Sequence, residues 1–129
     1  MPASFKGRYL GVLILVLAQF LVGAVHAVIG LGLIFGMPGE FGYSIYTFLY
    51  GIITVIFGYG IWGGRRSGWV GTIFVALFVI VVDVFTVLNV SLIAGVPRSA
   101  AFGEIFYSLV VLLYLLQPKI IHEFLNFRN

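Results

Sequence analysis

The segment 79–89, VIVVDVFTVLN, places a single carboxyl group in a run of apolar side chains. An aspartate in such surroundings is costly to keep charged, so it must hold a proton, meet a partner or bind a cation. Asp83 is therefore the residue of this chain that most strongly indicates a function. It could serve as a proton or cation site, or as a polar contact that fixes two helices together.

His26 is the first candidate partner for this carboxyl group. Counted at 1.5 Å per residue from the predicted inner ends of their segments, His26 lies about 25 Å deep and Asp83 about 21 Å deep. This similarity of depth predicts a hydrogen bond or an ion pair between them. Asn89 could instead cap a helix, bond to a neighbouring helix or face an oligomer interface. The other polar-core candidates are Gln19 and Thr86.

The composition places these residues in a membrane. Of the 129 residues, 62% are hydrophobic and 9% are charged, whereas soluble proteins have about 45–50% apolar and about 25% charged residues. A membrane-spanning helix needs about 20 mostly apolar residues. The sequence predicts a single transmembrane domain, 1–129. It contains four such helices and ends in an amphipathic tail at 118–129. The predicted spans are 9–35, 44–62, 69–94 and 99–117.

The short connectors between these spans predict an all-α, antiparallel bundle of four transmembrane helices. Basic residues then indicate the orientation, because cytoplasmic loops are enriched in lysine and arginine. Only Arg98 falls on the outer side, so both termini are expected in the cytoplasm of a multi-pass cell-membrane protein. A cleaved signal peptide ending near Ala27 is the alternative, but its apolar run exceeds the usual signal core. The inner basic residues are Lys6, Arg8, Arg65, Arg66, Lys119 and Arg128.

Each span also has a stripe of small or hydrogen-bonding residues at helical spacing. In lipid, such stripes allow helix backbones to approach closely, so we expect them at helix contacts. The predicted packing residues are Gly23, Gly30, Gly51, Thr54 and Gly58. Glu104 is expected in the first turn of the fourth helix, where the helix dipole favours a carboxylate and where Arg98 could form an outer-side ion pair with it.

Several classes of chemistry lack support in the sequence. The chain has no cysteine, and its two histidines are predicted at different depths, so neither a metal site nor a haem is expected. It has no phosphate-binding loop, no dinucleotide fingerprint and no catalytic triad. The basic residues are too scattered for a nucleic-acid surface. The sequence therefore predicts a non-enzymatic protein without a cofactor.

The hairpin 58–81, GYGIWGGRRSGWVGTIFVALFVIV, has a glycine-rich span end, a basic turn and a tryptophan that opens the next span. In this it resembles small, uncharacterised four-span prokaryotic integral membrane proteins. The resemblance implies a four-span fold. It implies no catalytic residue and no ligand.

Two functions are compatible with these observations. The first, which needs fewer unobserved features, is a non-catalytic accessory subunit that packs into a homo-oligomer or a larger complex within the lipid bilayer. The second is a minimal oligomeric transporter or channel for protons or cations, with Asp83 and His26 at its site. Access of water to Asp83 would favour transport, whereas a dry, fully paired Asp83 would favour a structural role.

Overall fold

The computed structural model describes residues 10–36 and 41–125, and all regular structure within these ranges is α-helical. Its first four helices are long and apolar enough to cross a membrane, which confirms the prediction of four such helices. Residue 9, where the first span was expected to start, and residues 126–129 of the tail lie outside the described ranges, as do Lys6, Arg8 and Arg128. The helices are α1 (Leu10–Gly36), α2 (Phe41–Trp62), α3 (Arg66–Val87), α4 (Arg98–Leu115) and α5 (Pro118–Leu125).

Glycines bring α1 and α2 into backbone contact. A Cβ atom at Gly51 would lie 2.5 Å from the carbonyl oxygen of Gly23 and 2.9 Å from the Cα atom of Ala27. One turn away, a Cβ atom at Gly30 would lie 2.6 Å from the backbone of Phe48. The helices can approach this closely only because these positions have no side chain. We call this contact the glycine seam.

The basic turn between α2 and α3 is closed by a Schellman motif. Gly64 has a φ of 73°, and the Arg65 amide donates a hydrogen bond to the carbonyl oxygen of Gly60 at 2.9 Å. Glycine is suited to this left-handed position because it has no Cβ atom. Gly60 then lies against Gly68, where a Cβ atom would be 2.8 Å from the Cα atom of Gly60. The turn therefore holds the start of α3 directly against the end of α2.

The third span was predicted to extend to residue 94, and this is wrong: α3 ends at Val87. Asn89 adopts the left-handed conformation with a φ of 65°. The Val90 amide donates to the carbonyl oxygen of Phe85 at 2.8 Å, and the Asn89 amide donates to that of Thr86 at 3.1 Å. These two bonds form a second Schellman motif, and asparagine tolerates the left-handed position better than most residues. Asn89 therefore caps the helix. The other described helix ends lie within three residues of their predicted positions.

The variants Asn89→Gly and Asn89→Val should differ in stability. A β-branched residue in the left-handed region is strained by roughly 1–2 kcal/mol, whereas glycine adopts this conformation without a steric penalty. We expect Asn89→Val to lower the unfolding temperature in detergent, and Asn89→Gly to leave it unchanged or raise it. Thermal melts followed by tryptophan fluorescence would measure this. Equal stability of the two variants would contradict the capping role.

The predicted amphipathic tail forms a helix of its own, α5, and packs against the protein. Ile120 and Phe124 are fully buried, and the Phe124 ring stacks on Trp69 with a centroid distance of 6.2 Å and an interplanar angle of 10°. The Arg66 guanidinium donates to the carbonyl oxygen of Leu125. Ile120 and Phe124 pack with apolar side chains from the ends of α1, α2 and α4. We call this buried group the basal cluster: Val12, Leu15, Val16, Ile61, Val111, Leu115, Ile120 and Phe124.

Candidate functional site

Asp83 is completely buried on the inner face of α3. The other residues of its stripe, Thr72, Ala76, Val79 and Thr86, are buried as well. Neither carboxyl oxygen of Asp83 has a hydrogen-bond partner within residues 10–36 and 41–125. Asp83 therefore faces the interior of the protein, but neither of its oxygens receives a hydrogen bond from a described residue.

The nearest acidic group is Glu104 of α4, whose carboxyl group faces that of Asp83 at close range. Asp83 lies near the end of α3 and Glu104 near the start of α4, so the two helices bring them to the same level. Glu104 lies in the second turn of α4, and no acidic residue occupies the first turn. The predicted ion pair with Arg98 is not formed: Arg98 is exposed at the helix start, while Glu104 is partly buried beside Asp83.

The two adjacent carboxyl groups, of which Asp83 lacks a donor among the described residues, restrict the chemistry of this site. If both were ionised, they would repel each other with little solvent to screen the charges. A proton shared between them would remove one charge and supply the missing donor, as in other paired carboxyl groups. A small cation bound between them would have a similar effect. The carboxyl pair, Asp83 and Glu104, is therefore suited to binding a proton or a cation.

Three tyrosines lie near the carboxyl pair. Tyr46 and Tyr50 of α2 interact electrostatically with both Asp83 and Glu104, and Tyr50 also interacts with Tyr107 of α4. The hydroxyl groups of Tyr46 and Tyr107 are buried and have no hydrogen-bond partner among the described residues. A phenolic hydroxyl can both donate and accept a hydrogen bond. The tyrosines can therefore stabilise either protonation state of the pair.

His26 lies beside this group, but not against Asp83. Its Nδ1 atom is 2.8 Å from the carbonyl oxygen of Val22, one turn earlier in α1. Its ring meets that of Tyr50 edge to face, with centroids 4.8 Å apart. The predicted hydrogen bond between His26 and Asp83 is not formed, because both Asp83 oxygens lack a partner within the described part of the chain.

A cavity of about 330 Å³ opens between α1 and α4 and reaches Glu104. This volume would hold several water molecules, since one occupies about 30 Å³ in the liquid. Glu104 therefore has access to the outside of the protein, whereas Asp83 behind it has none of its own. The main lining residues are Val22, His26, Tyr50, Gly103, Glu104 and Tyr107.

Gln19 joins three helices deeper in the protein. Its Nε2 atom donates to the carbonyl oxygen of Thr54 at 3.4 Å and to the hydroxyl of Thr72 at 3.3 Å. Thr86, another polar-core candidate, donates to the carbonyl oxygen of Val82 at 3.0 Å within its own helix. Gln19 thus belongs to the polar interior, while Thr86 makes a local bond. The predicted packing residues Gly23, Gly30, Gly51, Thr54 and Gly58 are all buried.

The most important partner of Asp83 was not predicted from the sequence. Glu104 was expected in the first turn of the fourth helix, paired with Arg98 on the outer side. The available signal was its place in the helix, because a residue in the second turn at the same end as Asp83 can face the interior. The tyrosines gave a weaker signal, since tyrosine is also common at membrane interfaces.

No group of three or more histidine, cysteine, aspartate or glutamate residues that could hold a metal ion occurs in the described ranges. The chain matches no protein-family model, no curated protein and no solved structure. The function is therefore inferred from the geometry of the site.

Proposed function

We propose that this chain is a minimal membrane transporter or channel in which the carboxyl pair binds a proton or a small cation. The observation that carries the proposal is the complete burial of Asp83, without a hydrogen-bond donor, against a second carboxyl group. Intramembrane carboxyl groups are costly, and they commonly mark ion or proton pathways. A merely structural aspartate would be expected to have its oxygens satisfied.

The proposal includes the membrane arrangement. The four long helices form an antiparallel bundle in the cell membrane, with both termini in the cytoplasm. The exposed arginines of the α2–α3 turn support this orientation, since basic residues favour the cytoplasmic side. Apolar side chains point outward along α1, where Leu10, Leu21 and Val28 are 67–69% exposed, and this supports contact with lipid or with further copies of the chain. One chain is too thin for a wide pore, so the working unit is a homo-oligomer.

The proposal is tested with purified protein in lipid vesicles. Proton uptake is followed with an internal pH-sensitive dye, and sodium and potassium uptake with cation-sensitive dyes. We expect an ion flux in the native protein that Asp83→Asn reduces to the level of empty vesicles. The variant should fold, because an asparagine amide can donate to the remaining Glu104 carboxylate.

Glu123→Gln is the matched control, because it removes a carboxyl group on α5, away from the pair. It should leave the flux unchanged. Absence of flux in the native protein, or an equal flux in folded Asp83→Asn, would contradict the proposal.

A non-catalytic accessory subunit is the second candidate. The basal cluster favours it, because eight buried apolar residues close the interior at the end of the bundle opposite the carboxyl pair. In this function the carboxyl pair would share a proton only to fix α3 against α4, and the lipid-facing surface would bind partner subunits. Loss of oligomers in Asp83→Asn, in a protein without ion flux, would support this alternative.

A further inference from the structure

A second, smaller cavity lies between the carboxyl pair and the basal cluster. Its volume is about 20 Å³, which exceeds the 10–15 Å³ or so needed for one water molecule. The polar part of its lining comes from all four long helices: Gln19, Tyr50, Thr54, Thr72, Tyr107 and Ser108. Gln19, Thr54, Thr72 and Ser108 are each at least 94% buried. We call this cavity the inner polar site.

Two buried acceptors at the inner polar site have no partner. They are the Oε1 atom of Gln19 and the hydroxyl of Thr54, judged against the described residues. The Gln19 amide is oriented by its two bonds from Nε2, so Oε1 is left as the free acceptor. Tyr50 faces Thr54 closely, but not in the geometry of a direct hydrogen bond. Buried polar atoms left this way are commonly bridged by water.

Tyr107 connects the inner polar site to the carboxyl pair. It lines the inner polar site and also the larger cavity that contains Glu104, and its hydroxyl has no partner among the residues described. Tyr50 lines both cavities as well. A hydroxyl group can accept a proton on one side while it releases its own on the other, so it carries no net charge afterwards. The two tyrosines thus line both the inner polar site and the cavity that contains Glu104.

We infer that the inner polar site binds one water molecule and that the ion passed on from the carboxyl pair is a proton. This inference rests on the proposed function. A proton enters at Glu104 and is shared with Asp83. It moves by way of Tyr107 and Tyr50, each of which accepts one proton and releases its own, to the bound water. When the basal cluster opens, that water releases one proton to solvent at the far end of the bundle. Divalent cations need about six or more oxygen ligands or retain several waters, and a space for one water cannot hold them. Among the described residues, His26, which lines the same cavity as Glu104, and Tyr46 are further ionisable groups beside the pair.

The test compares two isosteric changes on the same helix. Thr54→Val removes the hydroxyl at the inner polar site, and Thr47→Val removes an equally buried hydroxyl that does not line it. In vesicles with a pH-sensitive dye, Thr54→Val should lower proton uptake on the order of tenfold or more, because positioned proton-transfer groups typically contribute ~10²–10⁴-fold. Thr47→Val should not. Gel filtration and melting curves establish that both variants are folded.

A high-resolution structure supplies a measurement independent of transport. We expect one water molecule bonded to the Oε1 atom of Gln19 and to the Thr54 hydroxyl, and a dry cavity would overturn the inference. Sodium or potassium flux in place of proton flux would overturn it too, while leaving the carboxyl pair as the ion site. Proton flux that depends on Asp83 but is unchanged in Thr54→Val would also overturn the inference and leave the carboxyl pair as the ion site. Absence of any Asp83-dependent flux would instead contradict the proposed function itself, and with it the proton path through the inner polar site.

Discussion

Replacing Gly51 with valine should abolish the folded protein. A Cβ atom at this position would lie 2.5 Å from the Gly23 carbonyl oxygen and 2.9 Å from the Ala27 Cα atom, and it would also meet the Ala27 amide nitrogen. All of these are backbone atoms of α1, so no side-chain rotation can relieve the clash. Overpacking typically costs about 1–3 kcal/mol. Here the whole glycine seam must open, so we expect a larger loss, visible as aggregation on gel filtration in detergent.

Gly32→Val is the matched control for this prediction. Gly32 is also a glycine within a long apolar helix, but a Cβ atom there meets nothing within 4 Å. It introduces the same side chain with the same intrinsic cost to the helix, and the protein should remain monodisperse. A folded Gly51→Val protein with native stability would show that α1 and α2 are not held together at the glycine seam.

Replacing Phe124 with alanine should cause the second-largest loss of stability. Phe124 is fully buried in the basal cluster and stacks on Trp69. Truncation of a buried phenylalanine to alanine costs about 3–5 kcal/mol, because apolar contacts are lost and a cavity remains. We expect a lower unfolding temperature and a shift of tryptophan fluorescence to longer wavelength, as Trp69 becomes hydrated.

Leu125→Ala serves as its control on the same helix. The Leu125 side chain is 47% exposed, and the substitution leaves its backbone carbonyl group available to Arg66. Stability should change little. If both variants melted at the native temperature, α5 would not be an integral part of the fold.

Much of this architecture is predictable because lipid imposes strict rules. Backbone groups must be satisfied within each span, so long apolar runs become helices. Polar and small residues at helical spacing then point inward, which places Asp83, Gln19 and Gly51 correctly. These inferences need only the period of the helix and the cost of exposing polar groups to hydrocarbon.

The end of α3 and the partner of Asp83 could not be predicted from the helical period of the sequence. Apolar residues continue past Val87, so the pattern gave no reason to end α3 there; the helix ends because Asn89 takes the left-handed conformation. The partner of Asp83 depended on how α4 is rotated about its axis. A small difference in that rotation decides whether the Glu104 carboxyl group lies at the outer surface or in the interior. This is why Glu104 was expected beside Arg98 and not beside Asp83. His26 was expected at Asp83 because depth alone does not show which way a side chain points.

The basal cluster has a further consequence for an energised cell. Moving one elementary charge across a membrane is worth about 2.3 kcal/mol per 100 mV, so a permanently open polar interior would dissipate the stored gradient. The eight buried apolar side chains of the basal cluster lie between the hydroxyl-lined interior and the far surface, and an apolar layer of this kind is a barrier to charge. In the proposed function, the conformation described here would therefore leave the gradient intact, and charge would cross only after these apolar side chains separate.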